Sequence, residues 1–264
     1  MQAVIHTAEA TQLPFVEAES QNELLGRRGK TREWFLALRH AQIPFHSDDR
    51  LIMLYGHALV FRLGLHAATE RVLAGEPVVY LDGANTFDPF VVGQLARAHR
   101  RQPRAVLSMI HVARAYTSHQ MERLISDCLM FALERYQSRI AILSGLFDTH
   151  YDQAVPEHDE MRFFGRIMEA SQRLTEQGHV LFFLCPQLSV MTHMAQRWFD
   201  RLRLHADRVI RVSEERGLVK LQEEGEAVGQ SWEIARTALE RDQAGDGHHS
   251  RARSQRTHQG APLR

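Results

Sequence analysis

From Arg50 to residue 222 the chain alternates short apolar runs with longer amphipathic stretches, and this alternation constrains the fold more than any other feature. The short runs have the length of buried strands, and the longer stretches repeat their apolar residues at helical spacing. Such alternation is typical of βαβ units, in which helices cover both faces of a parallel sheet. The sequence therefore predicts a three-layer α/β fold with a mostly parallel central sheet.

Six strands and five helices are predicted in this region. The strands run over Leu51–Tyr55, Val78–Leu81, Ser108–Ala113, Arg139–Leu143, Val180–Leu184 and Arg208–Val212. The helices run over Ala58–Ala74, Phe90–His99, Ser118–Tyr136, Asp159–Gln177 and Ser189–Leu204. A final hairpin joins the last strand to residues 218–221, because residues 215–217 supply a turn. Ligands of an open parallel sheet bind beyond the carboxyl ends of its strands, so functional residues are expected at those junctions.

The two ends of the chain differ in character from this central region. Residues 1–48 predict an N-terminal extension with one helix, from Thr31 to Ala41. Residues 49–232 form the predicted core domain. Residues 233–264 are rich in Arg, Gln, Gly and His, and a tail of that composition is expected to be disordered because it has little apolar surface to bury.

Charge and cysteine content narrow the classes of function. The 32 basic and 32 acidic residues cancel, so any contact with nucleic acid needs a local patch. The two cysteines are far apart, which argues against a disulfide framework or a zinc site, and no metal site is predicted. No apolar run approaches the roughly 20 residues of a membrane span, and the first residues lack the pattern of a signal peptide. We expect a cytoplasmic protein with no membrane partner.

Three strand junctions carry a resemblance to a known family. Residues 82–89, Asp-Gly-Ala-Asn-Thr-Phe-Asp-Pro, resemble the Asp-Thr-Glu-Gly-Thr-Phe-Arg-Pro segment of the archaeal and eukaryotic RadA-type recombinases. Residues 113–120, Ala-Arg-Ala-Tyr-Thr-Ser-His-Gln, resemble a segment of the same proteins that ends a strand and opens a helix. Residues 184–187, Leu-Cys-Pro-Gln, resemble a later strand end whose Gln senses bound nucleotide in that family. The chain thus resembles the RecA/RadA superfamily over residues 50–222.

The resemblance implies a RecA-like fold and a role in DNA recombination and repair, with ATP and Mg²⁺ as the cofactors that the fold suggests. The chain departs from the family at three nucleotide-site positions. No Gly-Lys-(Ser/Thr) follows the strand Leu51–Tyr55, so the P-loop that cups and neutralises phosphates is degenerate. By the same alignment, Ala84 replaces the Glu that orients water, and Ser144 replaces the Asp linked to Mg²⁺. No catalytic residue is predicted, and we expect a pseudo-ATPase.

A vestigial nucleotide site is nevertheless assigned by alignment. Asp82 either binds Mg²⁺ or caps a turn, and His57 and Arg62 either approach an anion or pack the helix on the sheet. The motif Gly29-Lys30-Thr31 is not assigned as the missing loop, because Leu24 stands at its first glycine position and no strand precedes it. The assigned residues are Gly56, His57, Arg62, Asp82, Ser144 and Gln187.

Other predictions concern DNA and self-association. Arg197, Arg201 and Arg203 lie beside Trp198 and Phe199 and are the predicted DNA contacts, with a solvated helix face as the alternative. In contrast, the stretch 148–160 is acidic, which would repel phosphate. The resemblance implies that Phe15 and Ala18, in a Phe-x-x-Ala pattern, dock on a neighbouring subunit.

Three interpretations of function stay open at the sequence level. The first is an accessory protein of recombination and repair that binds DNA, a RecA/RadA-type recombinase or both. The second keeps the RecA-like fold as a protein-interaction module without DNA binding, or as a residual ATP-binding ATPase. The third is a metal-dependent hydrolase that uses Asp148, His150, Asp152 and His158.

Overall fold

A computed structural model describes residues 34–38, 41–46, 48–148, 157–186, 193–225 and 230–240. All of these residues belong to one compact unit, Glu33–Arg264. The strands are β1 Trp34–Leu38, β2 Ala41–Phe45, β3 Leu51–Gly56, β4 Val78–Asp82, β5 Ile110–Arg114, β6 Ile140–Ser144, β7 Val180–Pro186, β8 Arg208–Glu215, β9 Leu218–Glu224 and β10 Ser231–Ala235. The helices are α1 Val60–Leu73, α2 Pro89–Ala98, α3 Pro103–Leu107, α4 Ser118–Arg123, α5 Leu129–Arg135, α6 Glu157–Glu176, α7 His193–His205 and α8 Arg236–Glu240, and a π-helical turn, Leu124–Cys128, joins α4 to α5.

The central sheet has eight strands in the order β10-β9-β8-β3-β7-β6-β4-β5. The strands β3 to β8 are parallel to one another, and β9 and β10 continue the sheet in antiparallel pairs. Alternate residues of β3 enter two separate cores, with Ile52 and Leu54 in one and Leu51 and Met53 in the other. The first core is covered by α1, α2, α3, α8 and the β1–β2 pair, and the second by α4 to α7. The prediction of a three-layer α/β fold with a mostly parallel sheet is confirmed.

The burial of the innermost strands explains why the sequence predicted them clearly. Every residue of β4 and of β6 is buried, because each strand has parallel neighbours on both sides and helices on both faces. Such strands are continuous apolar runs, so their bounds can be read from the sequence to within a few residues. The predicted hairpin between β8 and β9 is also present, with its turn at residues 216–217.

The helix predicted from Thr31 to Ala41 is wrong for the residues that the structure describes. β1 and β2 form an antiparallel pair in which Trp34 lies opposite Phe45. Leu36, Ile43 and Phe45 are fully buried against the first core. Five residues are too few to separate a strand from a helix by apolar spacing, and tertiary burial decides the outcome.

Three further elements were not predicted as such. The helix predicted over residues 118–136 is interrupted by the π-helical turn. The short helix α3 precedes β5, which therefore begins at Ile110 and not at Ser108. Residues 233–240, which the sequence prediction assigned to the polar tail, complete β10 and form α8, and Leu239 is buried in the first core.

Candidate functional site

Parallel pairing brings the predicted nucleotide-site positions to one edge of the sheet. Asp82 lies opposite Ser144 in the pairing of β4 with β6, and Gly56 lies opposite Pro186 in the pairing of β3 with β7. Gln187 follows Pro186 but lies outside the described residues. Asp82 and Ser144 therefore lie side by side on neighbouring strands, and Gly56 lies at the same edge of the sheet, two strands away from Ser144.

The loop after β3 is short and is fixed on β8. Gly56 has a φ of +113°, in the left-handed region that favours glycine, and a Cβ there would collide with the carbonyl oxygen of Val212. The N–H of His57 donates to that same oxygen at 2.8 Å. The loop consequently follows the end of β8 and leaves only residues 57–59 between β3 and α1.

Two of the three amides of this loop, and the first amide of α1, are already bonded within the chain. The N–H of Leu59 donates to Nδ1 of His57 at 3.2 Å, and the N–H of Val60 donates to the carbonyl oxygen of His57 at 3.0 Å. The other ring nitrogen of His57, Nε2, lies 3.4 Å from a carboxylate oxygen of Glu214 on β8. A phosphate cradle needs several N–H groups that point at the ligand, and the N–H groups of His57, Leu59 and Val60 point at protein atoms.

Arg62 lies one turn into α1 and is engaged elsewhere. Its Nε donates to the carbonyl oxygen of Leu239 on α8. His66, one turn further, is buried, and burial lowers the pKa of its ring to about 4. Arg62 therefore contacts α8, a partner that the sequence prediction did not name.

Asp82 is completely buried at the end of β4, and its carboxylate closes the turn that follows. One oxygen accepts the N–H of Thr86 at 2.9 Å, and the other accepts the N–H of Phe87 at 3.0 Å. Nε of Arg114, at the end of β5, lies 3.4 Å from the second oxygen. The geometry is that of the turn-capping alternative for this carboxylate.

The ends of β4 and β6 lie in direct contact. The N–H of Gly83 donates to the carbonyl oxygen of Ser144 at 2.8 Å, and the Ser144 hydroxyl lies 3.2 Å from that of Thr86. Gly145 has a φ of +71°, and a Cβ on it would lie 2.8 Å from Cα of Ala84. The two strand ends are therefore in van der Waals contact at these atoms.

Asp148 is the one acidic residue of the predicted acidic stretch whose side chain is described near this edge. Burial raises the pKa of its carboxyl group to about 6, and its Oδ2 atom has no hydrogen-bond partner among the described residues. Burial also raises the pKa of the nearby Cys185 thiol. His150 and Asp152 lie outside the described residues, as does the side chain of His158, and within the described part of the chain no cluster of metal-ligating side chains is present.

The structure places the three predicted DNA-contact arginines on two different faces of α7. Arg197 is exposed on α7, and the guanidinium of Arg201 lies 5.2 Å from the centre of the Trp198 ring. Arg203 points to another face, where its Nε donates to Glu224 at 2.6 Å and its guanidinium lies 5.6 Å from the Tyr55 ring centre. Tyr55 also donates its hydroxyl to Glu224, and burial with that contact raises the pKa of Tyr55 to about 12. Phe15, Ala18 and Lys30 lie outside the described residues.

Comparison with known protein families agrees with this fold and with the resemblance at the strand ends. Residues 57–200, more than half of the chain, match the Rad51 family. The chain belongs to the Rad51 family. The matched region runs from the loop after β3 into α7 and includes Asp82, Ser144, Arg197 and residues 113–120. As a member of the Rad51 family, the chain is a RecA/RadA-like protein related to DNA recombination and repair.

Membership in the Rad51 family also bears on the expected partners. It suggests DNA and a recombinase subunit, or a second copy of this chain, as partners in the same process. Among the described helices, none combines the length and the apolar content that crossing a membrane requires.

Proposed function

We propose that this Rad51-family chain assists DNA recombination and repair without hydrolysing ATP. The proposal is that it acts in the cytoplasm by binding DNA, a recombinase or both. The observation that carries it is the closed edge of the sheet, where the groups that should face a nucleotide are bonded to protein atoms. Asp82, the only carboxylate at the aligned nucleotide positions, accepts two backbone N–H groups, and both of its oxygens are used.

Among the described residues at this edge, ATP with Mg²⁺ finds no complete set of binding groups. Phosphoryl transfer needs a cation to neutralise the β and γ phosphates, a ligand for Mg²⁺ and a group that positions the attacking oxygen. The loop after β3 offers His57, whose ring contacts Leu59 and Glu214, and the other two positions hold Ser144 and Ala84. The Ser144 hydroxyl is fully buried and lies against the Thr86 hydroxyl.

Calorimetry with ATP and Mg²⁺ tests the non-hydrolysing part of the proposal. We expect no saturable heat at millimolar ATP and no release of phosphate above a protein-free blank. Saturable binding, together with hydrolysis that disappears in His57→Ala, would contradict it. His205→Ala is the matched control, because it removes an exposed histidine at the end of α7, just before β8 begins, at the opposite end of the strands from His57.

Genetic complementation tests the accessory role. A strain that lacks this chain is expected to be sensitive to agents that break or cross-link DNA. The unaltered chain should restore resistance, and His57→Ala should restore it equally well because the role needs no nucleotide. Wild-type resistance in the deletion strain would contradict the accessory role, and loss of complementation by His57→Ala in a protein of normal stability would contradict its independence of ATP.

A further inference from the structure

A basic corner lies at the opposite edge of the sheet from the nucleotide positions. α2 follows the carboxyl end of β4 and runs back along the sheet, so its last residues and α3 lie near the amino ends of β4 and β5. Arg97, Arg100, Arg101 and Arg104 are all exposed there. These four residues are called the arginine corner below. No acidic residue occurs anywhere between Asp88 and Glu122, although the whole chain has no net charge.

The four arginines have no carboxylate partner within the described part of the chain, in contrast to several arginines elsewhere. Arg166 contacts Glu122 and Asp127, and Arg208 contacts Asp49 and Glu223. The nearest acidic contact of this corner is made by His99, whose Nε2 lies 3.4 Å from Glu70. The guanidinium groups of the arginine corner are therefore available to a ligand.

The backbone of the corner is held in a fixed shape. The N–H of Arg101 donates to the carbonyl oxygen of Ala96, and that of Arg100 donates to Arg97, each at 2.8 Å. This is the Schellman pattern of a helix end, and it places Arg100 at a φ of 56°. Pro103, the first residue of α3, lies beside Gly93 of α2, with its Cβ 3.6 Å from where a Cβ on Gly93 would be.

Folding alone does not account for these residues. Basic side chains in the last turn of a helix are stabilising, which explains Arg97. The left-handed position of Arg100 favours Gly or Asn, and α3, with five residues, is too short for its dipole to decide the residue at Arg104. Arg100 thus stands where helix energetics disfavour it, and no ion pair within the described part of the chain accounts for the four arginines together.

We propose that the arginine corner binds the phosphodiester backbone of nucleic acid, at a site distinct from the carboxyl edge of the sheet. The guanidinium fork matches phosphate oxygens in pairs, and all four cations are Arg. The inference rests on the proposed role in recombination and repair and names the surface that contacts DNA. The backbone is common to single strands and duplexes, and the corner contains no aromatic side chain that would stack on bases.

Fluorescence anisotropy with the full-length chain tests the site. The probes are a labelled 30-nucleotide oligo-dT, a labelled 30-base-pair duplex and a labelled poly-glutamate peptide. The test variant is Arg100→Gln/Arg101→Gln/Arg104→Gln. The matched control, Arg162→Gln/Arg211→Gln/Arg216→Gln, removes the same charge from three exposed arginines elsewhere. A third variant, Arg197→Gln/Arg201→Gln, removes the predicted contacts on α7.

The slope of log affinity against log salt is the decisive readout. Each phosphate contact contributes about 0.9 to the magnitude of the slope on duplex and about 0.7 on a single strand. Removal of three arginines should therefore reduce the magnitude of the slope by roughly 2 to 3. Its affinity at about 0.1 M salt should fall roughly tenfold or more, with the control near wild type. The probe with the larger loss identifies the form of DNA that is bound.

Several outcomes would overturn the inference. An equal loss in the matched control would mean that net charge alone is measured. A loss confined to Arg197→Gln/Arg201→Gln would place the contact on α7, and binding of poly-glutamate without either DNA would indicate an acidic protein partner. Absence of DNA binding in the unaltered chain would also refute the site. In each case, complementation of the deletion strain would still decide the proposed function independently.

Discussion

The carboxyl edge of the sheet and the arginine corner are two polar regions of one fold, and they differ in where their polar groups are directed. At the carboxyl edge, Asp82, His57 and Ser144 are bonded to neighbouring protein atoms, and two glycines let the strand ends approach closely. At the arginine corner, the cations project into solvent from a backbone that is itself held by hydrogen bonds. We therefore propose a structural role for the carboxyl edge and a ligand-binding role for the arginine corner.

Replacing Asp82 should give the largest effect. Asp82→Ala leaves the N–H groups of Thr86 and Phe87 without acceptors in a buried turn, so we expect a loss of about 3 kcal/mol in the free energy of unfolding, measured in urea. Asp82→Asn keeps one acceptor oxygen and should lose about half as much. Wild-type stability in Asp82→Ala would show that the carboxylate is not structural, and stabilisation of the unaltered chain by Mg²⁺ would indicate a metal site.

Adding a methyl group at the closed edge should have the second largest effect. Gly145→Ala combines a positive φ with a clash against Ala84, and we expect a loss of about 2 to 3 kcal/mol. Gly178→Ala is the matched control, because Gly178 has a φ of +87° but no atom near the added Cβ, so it should lose only about 1 kcal/mol. Similar losses in the two variants would mean that the strand ends are not in tight contact.

The pH dependence of stability should report the buried carboxyl group of Asp148. Its pKa is raised to about 6, so the folded chain holds this proton more tightly than the unfolded chain does. The cost of ionisation is absent below pH 4, grows as the pH rises towards 6 and is complete above it. Asp148→Asn should therefore stabilise the protein by about 1 kcal/mol at pH 7.5 and by little at pH 4. Equal effects at both pH values in urea titrations would contradict this.

The smallest effect on stability is expected at the arginine corner, and like that of Asp148→Asn it is a stabilisation. Arg100→Gly removes the strain of a left-handed Arg, so we expect the free energy of unfolding to rise by about 0.5 kcal/mol. The same variant should bind DNA more weakly, because one phosphate contact is lost. Thermal unfolding and anisotropy on one preparation check both changes. Weaker binding with an unchanged or raised unfolding midpoint would separate the role of Arg100 in binding from any role in folding.

The sequence predicted much of the fold because the central strands are buried on both faces. β4 and β6 leave continuous apolar runs, and the segments after them could be aligned with a known family. The sequence could not predict that Asp82 uses both oxygens in its turn, because Asp-x-x-x-Thr is compatible with a metal ligand as well as with a cap. Nor could it predict that His57 is bonded to β8, because that contact joins residues 155 positions apart, from His57 to Val212.

Helical phase and long-range burial explain why the predictions for Arg203 and for the β1–β2 segment differ from the structure. Arg203 follows Arg197 by six residues, which is not a whole number of helical turns, so it faces Glu224 while Arg197 faces solvent. The pair β1–β2 is defined by burial of Leu36 and Ile43 against distant residues, which a window of ten residues does not contain. The sequence contains one indication of the arginine corner, because residues 89–121 include no acidic residue. The corner was not predicted as a site, because functional residues were expected only at the carboxyl ends of the strands.

The position of β3 in the middle of the sheet determines how the protein can be dissected. β3 lies between β7 and β8, yet the region matched to the Rad51 family begins at residue 57, after β3 has ended. A recombinant fragment trimmed to residues 57–200 would lack this strand and expose the backbone groups of β7 as an open edge, which favours aggregation. Soluble truncations should therefore begin before Trp34 and end after Leu239, so that the buried residues at both ends are retained.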